Sequence, residues 1–252
     1  MKLYAMRCGS LTGSFGGMLD GAEGEVTFPV PAYLIEHPKG SVLFDSGLHP
    51  DCQHDVAARV GQRLAGLFRF DFKPGEEVSA QLQGIGRDPR RIDYLITSHL
   101  HFDHVGGHAL IPNATQIVQR REWEAGRNAD IAAAHGFNHR DFDLGHPLKQ
   151  VDGEHDVFGD GRIVCIPTYG HTPGHQSLRV RLDSGDVVLT SDACYFCRTL
   201  RERRLPPRAW NHAAMLRSLD TLARLEAGGA RLFYGHDPEF WATLPQAPAA
   251  IT

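Results

Sequence analysis

The chain has 252 residues, 42% of them hydrophobic and 22% charged, and carries a net charge of −4. That composition is ordinary for a globular protein with a sizeable core, so a single domain over residues 1–252 is expected. The mild acidity argues against a nucleic-acid or anionic-membrane partner, and no apolar run approaches the roughly 18–20 residues of a membrane span.

Taken in chain order, β-branched and apolar runs predict strands near residues 2–7, 26–36, 41–45, 92–97, 115–119, 162–166, 177–182, 186–190 and 230–234. The opening segment Met1–Cys8 is too short in its apolar part for a signal peptide. Five scattered cysteines, Cys8, Cys52, Cys165, Cys194 and Cys197, suit a reducing compartment better than a disulfide framework, and a cytoplasmic location is expected. Gly9–Leu19 is glycine-rich and carries apolar side chains without a strand or helix period, which suits a flexible lid. With Leu67, Phe68, Phe70 and Phe72 it could line an apolar groove. Val56, Val60, Leu64 and Leu67 recur at helical spacing, as do Leu216, Leu219, Leu222 and Ala223, the latter helix closed by Gly228 and Gly229. No repeat or low-complexity linker divides the chain.

The chemistry concentrates after the sixth residue of Ile92–Thr97, where the chain reads Ser-His-Leu-His-Phe-Asp-His-Val-Gly-Gly-His. His99, His101, Asp103 and His104 fall within six positions, on the loop leaving a strand that looks buried. Imidazole and carboxylate suit zinc and similar divalent ions, and four such donors exceed what one four-coordinate ion needs from one segment. A two-metal site is the expectation. With 15 histidines in the chain some clustering is expected by chance, so His135 and His139 carry little weight. His37, His49, His54, His146, His155 and His212 read as surface or hydrogen-bonded residues.

H-x-H-x-D-H after a core strand resembles the signature of the metallo-β-lactamase-fold hydrolases, and later segments match that family's further motifs. These are Gly170-His171-Thr172-Pro173-Gly174-His175, Ser191-Asp192 after Val187–Leu189, and Gly235-His236 after Leu232–Tyr234. The resemblance implies an α/β fold of the four-layer αβ/βα sandwich type. It also implies one metal on His99, His101 and His171, a second on Asp103, His104 and His236, and Asp192 bridging the two. Asp45 resembles the first motif, where a carboxylate orients the ligand loop by hydrogen bonding. His108 and His175 lie beside ligands but match no ligand position, and read as supporting residues.

Two adjacent cations lower the pKa of a shared water and act as Lewis acids on a carbonyl, which means hydrolysis by a metal-bridging hydroxide. The resemblance suggests Asp103 as the group that shuttles the proton to the leaving alkoxide. Tyr195, three residues after Asp192, has a spacing that resembles the N-acyl-homoserine lactonases, where a tyrosine at this position hydrogen-bonds the substrate carbonyl. The expected activity is therefore dinuclear lactone hydrolysis, as in a quorum-quenching lactonase, with a small-molecule lactone as partner. The alternatives are another small lactone or ester, such as a pyridoxolactone-type substrate, and a glyoxalase II-like thioester. A metal-stabilised binding protein would be expected to have lost a ligand, and none is missing. The expected ions are zinc, with iron, manganese or cobalt acceptable to the same donors. Monomer and homodimer both remain open.

Overall fold

A computed structural model describes residues 1–252. Seven strands form the first sheet: β1 (Lys2–Ser14), β2 (Glu25–His37), β3 (Gly40–Phe44), β4 (Phe68–Asp71), β5 (Tyr94–Ile96), β6 (Thr115–Gln119) and β7 (Leu148–Val151), in spatial order β4-β1-β2-β3-β5-β6-β7. The second sheet holds β8 (His155–Asp156), β9 (Ile163–Pro167), β10 (Gln176–Leu182), β11 (Gly185–Ser191) and β12 (Arg231–Tyr234), in order β12-β11-β10-β9-β8. Both sheets are mixed: β3, β5, β6 and β7 run parallel to one another, as do β11 and β12, and the remaining pairs are antiparallel.

The helices are α1 (Phe15–Met18), α2 (Val56–Leu67), α3 (Val78–Gly84), α4 (Phe102–Val105), α5 (Arg120–Arg127), α6 (Ala129–His135), α7 (His139–Phe142), α8 (Cys197–Glu202), α9 (His212–Ala227) and α10 (Pro238–Thr243). None is long and apolar enough to cross a membrane.

Side-chain alternation along the strands explains the layering. Leu3, Ala5, Tyr33, Ile35, Val42 and Phe44 of the first sheet meet Cys165, Leu178, Val180, Leu189 and Phe233 of the second in one 20-residue core. The intervening residues Tyr4, Met6, Ala32, Leu34 and Leu43 point the other way, onto Val78 and Leu82 of α3. On the outer face of the second sheet, Val188 and Leu232 pack against Met215, Leu219 and Leu222 of α9. Helix, sheet, sheet, helix is the four-layer αβ/βα sandwich.

All nine strands anticipated from the sequence form, and so do the helices at α2 and α9. The glycine-rich segment behaves differently from the expected lid. β1 continues to Ser14, paired with β2 on one side and β4 on the other, after a bulge between Arg7 and Ser10. Gly9 takes φ +96 there, and a Cβ would sit 2.9 Å from Leu48 and Phe72 side-chain atoms. The bulge breaks the period of two, which is why the run does not look like a strand. Phe68 and Phe70, by contrast, lie on β4 and pack against Phe102 with ring centroids 6.3 and 5.8 Å apart. Phe72 is buried in the apolar cluster against which Phe68 and Phe70 pack, whereas Leu67 is exposed, so three of the four proposed groove residues are placed together.

Candidate metal centre

Every anticipated donor stands at a strand end or in the loop that follows. β5 runs into His99 and His101, the latter capping α4, whose first turn carries Asp103 and His104. His171 comes from the loop joining β9 to β10, Asp192 directly follows β11, and His236 follows β12. Glycines let these loops approach other backbone closely. A Cβ on Gly170 would lie 2.2 Å from the Met215 nitrogen, and one on Gly235 would lie 2.5 Å from the Ser191 oxygen. Asp45 and Ser191 hold left-handed backbone, at φ +58 and +47, where the chain turns off β3 and β11.

The donors converge in two groups, His99, His101, His171 and Asp192 in one and Asp103, His104 and His236 in the other, the donor atoms of each group lying within 4.8 Å of one another. In the first, His101 Nδ1 is 2.9 Å from both His99 Nε2 and His171 Nε2. Asp192 Oδ2 is 3.2 Å from His171 Nε2 and 3.6 Å from His99 Nε2. Its other oxygen, Oδ1, is 3.2 Å from His104 Nε2 and 3.1 Å from His236 Nε2. One carboxylate therefore offers one oxygen to each group. Asp103 Oδ2 completes the second at 3.7 Å from His104 Nε2 and 3.8 Å from His236 Nε2.

Hydrogen bonding decides what these atoms can do. His104 Nδ1 donates to Asp45 Oδ2 at 2.9 Å, and His236 Nδ1 donates to the Pro29 carbonyl at 2.9 Å, so each ring presents an Nε2 lone pair inward. Ser98 Oγ donates to Asp45 Oδ2 at 2.7 Å and can accept from His99 Nδ1 at 3.0 Å, which turns the His99 lone pair inward too. His104 Nε2 and Asp192 Oδ1 are buried without a hydrogen-bond partner although they face each other. An imidazole lone pair apposed to a carboxylate oxygen calls for a positive charge between them, a metal ion or, in its absence, a proton on the ring. Tetrahedral coordination at about 2.0–2.1 Å places neighbouring donors about 3.3 Å apart, and the spacings above bracket that value. The residues fit two divalent ions.

The electrostatics agree. Burial lowers His99 and His171 well below their ordinary pKa, and lowers His101 to about 4, keeping these imidazoles neutral and able to ligate. Burial opposes the charged forms of His104 and Asp192 as well, yet their opposite charges prevail, raising His104 and depressing Asp192. Without a cation the carboxylates of this site are balanced by protons.

His108 bridges Ser46 Oγ at 2.7 Å and Thr97 Oγ1 at 2.8 Å, and His175 bonds Thr168 Oγ1 at 2.9 Å, placing both as supports outside the two donor groups. His37 stacks on Phe158, His146 bonds the Ile111 carbonyl and His212 the Pro206 carbonyl. All five cysteines are unpaired. Tyr195 is buried beside the first group, its hydroxyl 3.4 Å from His171 Nδ1, within an apolar cluster containing Phe28, Phe196 and, at its edge, Phe68, Phe70 and Phe102. One residue absent from the sequence reading is Glu122, in the first turn of α5, which binds the backbone of both imidazole-bearing loops.

Residues 26–236 match the model of the metallo-beta-lactamase superfamily. The chain belongs to the metallo-beta-lactamase superfamily. Among superfamily members, it is 36% identical to the N-acyl homoserine lactonase AttM of Azorhizobium caulinodans, over 98% of this chain and 97% of that one. It is 31% identical to the N-acyl homoserine lactonase AiiA of Bacillus thuringiensis subsp. kurstaki, over 85% and 83% respectively. The structure of an N-acyl homoserine lactone hydrolase with N-hexanoyl-L-homoserine at its catalytic metal centre superposes with a TM-score of 0.89 at 27% identity, covering 99% of this chain and 98% of that one. Such a superfamily scaffold accounts for donors drawn from loops of both sheets.

Proposed function

We propose that this superfamily member is a dinuclear metal-dependent lactonase that opens N-acyl homoserine lactones. The observation that carries the reading is Asp192, whose two oxygens address two donor groups, with the Tyr195 phenol and an apolar phenylalanine cluster alongside. His99, His101 and His171 would hold one ion, Asp103, His104 and His236 the other, with Asp192 shared, and zinc is the ion we assign to these His and carboxylate donors. Two such ions would supply Lewis acidity toward an ester carbonyl and a lowered water pKa near neutral pH.

The chain's own groups do the rest. Tyr195 is held protonated, its pKa raised well above 10 by burial and by Asp192 and Asp103, so it donates a hydrogen bond to the oxygen on which charge develops as the ring carbonyl is attacked. Asp103, at the edge of the second group, accepts a proton and passes it to the ring oxygen as that bond breaks. Phe68, Phe70 and Phe102 form an apolar wall suited to an acyl chain. The five unpaired cysteines support a reducing, cytoplasmic setting.

The test is proton release when metal-loaded protein meets N-acyl homoserine lactones of short and long chain, run beside a simple thioester and a simple aryl ester. Rapid acidification with the lactones, abolished in Asp103→Asn, supports the assignment. Turnover of the thioester or aryl ester with silence toward every lactone overturns it.

A further inference from the structure

Glu122 is fully buried in the third position of α5, and every partner it has is neutral. Its Oε1 accepts the Leu100 backbone N–H at 3.1 Å, and its Oε2 accepts both the Thr172 hydroxyl at 2.8 Å and the Gly174 N–H at 2.7 Å. Leu100 lies between His99 and His101, and Thr172 follows His171. The contact is close on both sides, since a Cβ on Gly174 would come 2.3 Å from the Glu122 nitrogen. A single carboxylate thus ties together the two loops that bring three imidazole nitrogens to 2.9 Å spacings. No bond from Glu122 reaches Asp103, His104 or His236.

Burying a carboxylate with no cation in contact is costly, and an amide or an apolar side chain would fill the space at lower cost were filling the only role. Three donors converging on two oxygens also require an acceptor at both positions, which only the carboxylate offers.

We propose that Glu122 is a positioning residue for the ion held by His99, His101 and His171, and not for its neighbour. It works by fixing the distance between the loop after β5 and the loop joining β9 to β10. This rests on the two-ion reading above. Glu122→Gln would present an N–H to one of the donors that now meets a carboxylate oxygen, releasing either Leu100 or the Thr172–Gly174 turn.

The experiment is zinc titration of metal-free protein in competition with a chromophoric chelator, which resolves two binding steps without any substrate. Wild type is expected to bind two equivalents. Glu122→Gln should weaken one step by about 10–100-fold, as loss of a ligand-orienting hydrogen bond does, and leave the other within about threefold. Thr172→Val, which removes one of the three donors and keeps the carboxylate, should weaken the same step to a smaller degree and covers the case in which Glu122→Gln does not fold. Equal weakening of both steps would mark a purely structural role and overturn the proposal, as would two unchanged steps. Wild type that binds no zinc would instead overturn the two-ion reading on which the proposal stands.

Discussion

Tyr195→Phe separates chemistry from architecture at this site. The ring is locked edge-on, with centroids 5.6 Å from His171 and 6.1 Å from Phe196 and a tilted contact with His236 at 5.5 Å, and phenylalanine keeps all of that packing. The hydroxyl's contact with His171, whose Nδ1–H donates to the phenol oxygen at 3.4 Å, is long against the usual ~2.9–3.0 Å for an N–H donor, so its loss should cost about 1 kcal/mol of stability or less. If the phenol instead serves the developing oxyanion, its removal costs about 2.7–4 kcal/mol in the transition state, or roughly 100–1000-fold in kcat. Because burial and the two aspartates keep the phenol protonated, that ratio should not vary across neutral pH. Initial rates of proton release with an N-acyl homoserine lactone give kcat and KM, and a thermal melt of the same sample gives stability. A fall in kcat of less than about threefold, or an effect confined to KM, refutes a role for the phenol in the chemical step.

Asp45→Asn should fold, because asparagine tolerates the left-handed backbone at φ +58, but its amide would oppose the His104 Nδ1–H and favour the tautomer whose Nε2 lone pair is lost. Zinc affinity is expected to fall by about 10–100-fold, and wild-type affinity in the same chelator competition would contradict this account of the imidazole's orientation. His108 is held well below its ordinary pKa of 6.5 by burial, then by His146 and His104. A depressed folded-state pKa contributes stability above 6.5 that is lost as pH falls, because the unfolded chain takes up the proton first, at up to about 1.4 kcal/mol per pH unit. His108→Gln should therefore flatten the acid limb of metal-free stability by that amount in urea titrations between about pH 5 and 6.5, and an unchanged slope would show that His108 is not a source of acid lability.

The donors were legible because chemistry and position coincide in the sequence: His99, His101, Asp103 and His104 crowd one loop behind a β-branched strand, and the three later donors each follow an apolar run or sit in a Gly/Pro turn. The long strands and the helices at α2 and α9 were legible for a similar reason, since each carries enough residues to display a period. β5 and β12 are as short but lie within apolar runs, whereas β4, β7 and β8, reading Phe-Arg-Phe-Asp, Leu-Lys-Gln-Val and His-Asp, carry charged or polar residues that hide them. The bulge at Gly9 hid the second half of β1. Glu122 was illegible for a different reason. In Arg120-Arg121-Glu122-Trp123-Glu124 it looks like one more charge on a solvated helix face, and only the Pro173–Gly174 turn folding onto α5 removes it from water. Spacing announces a residue that binds, whereas a residue that holds the binders is revealed by the tertiary fold.

The four donors after β5 belong to the first sheet, whereas His171, Asp192 and His236 belong to the second, so neither sheet owns a complete cage. Ions bound there would rivet the two halves of the sandwich across their seam, and any parting of the sheets would surrender them. Resistance to heat and to proteolysis would then follow the zinc supply of the surroundings as well as the core between the sheets. For such a protein, starvation for metal would act as a folding defect before it acted as a loss of catalysis.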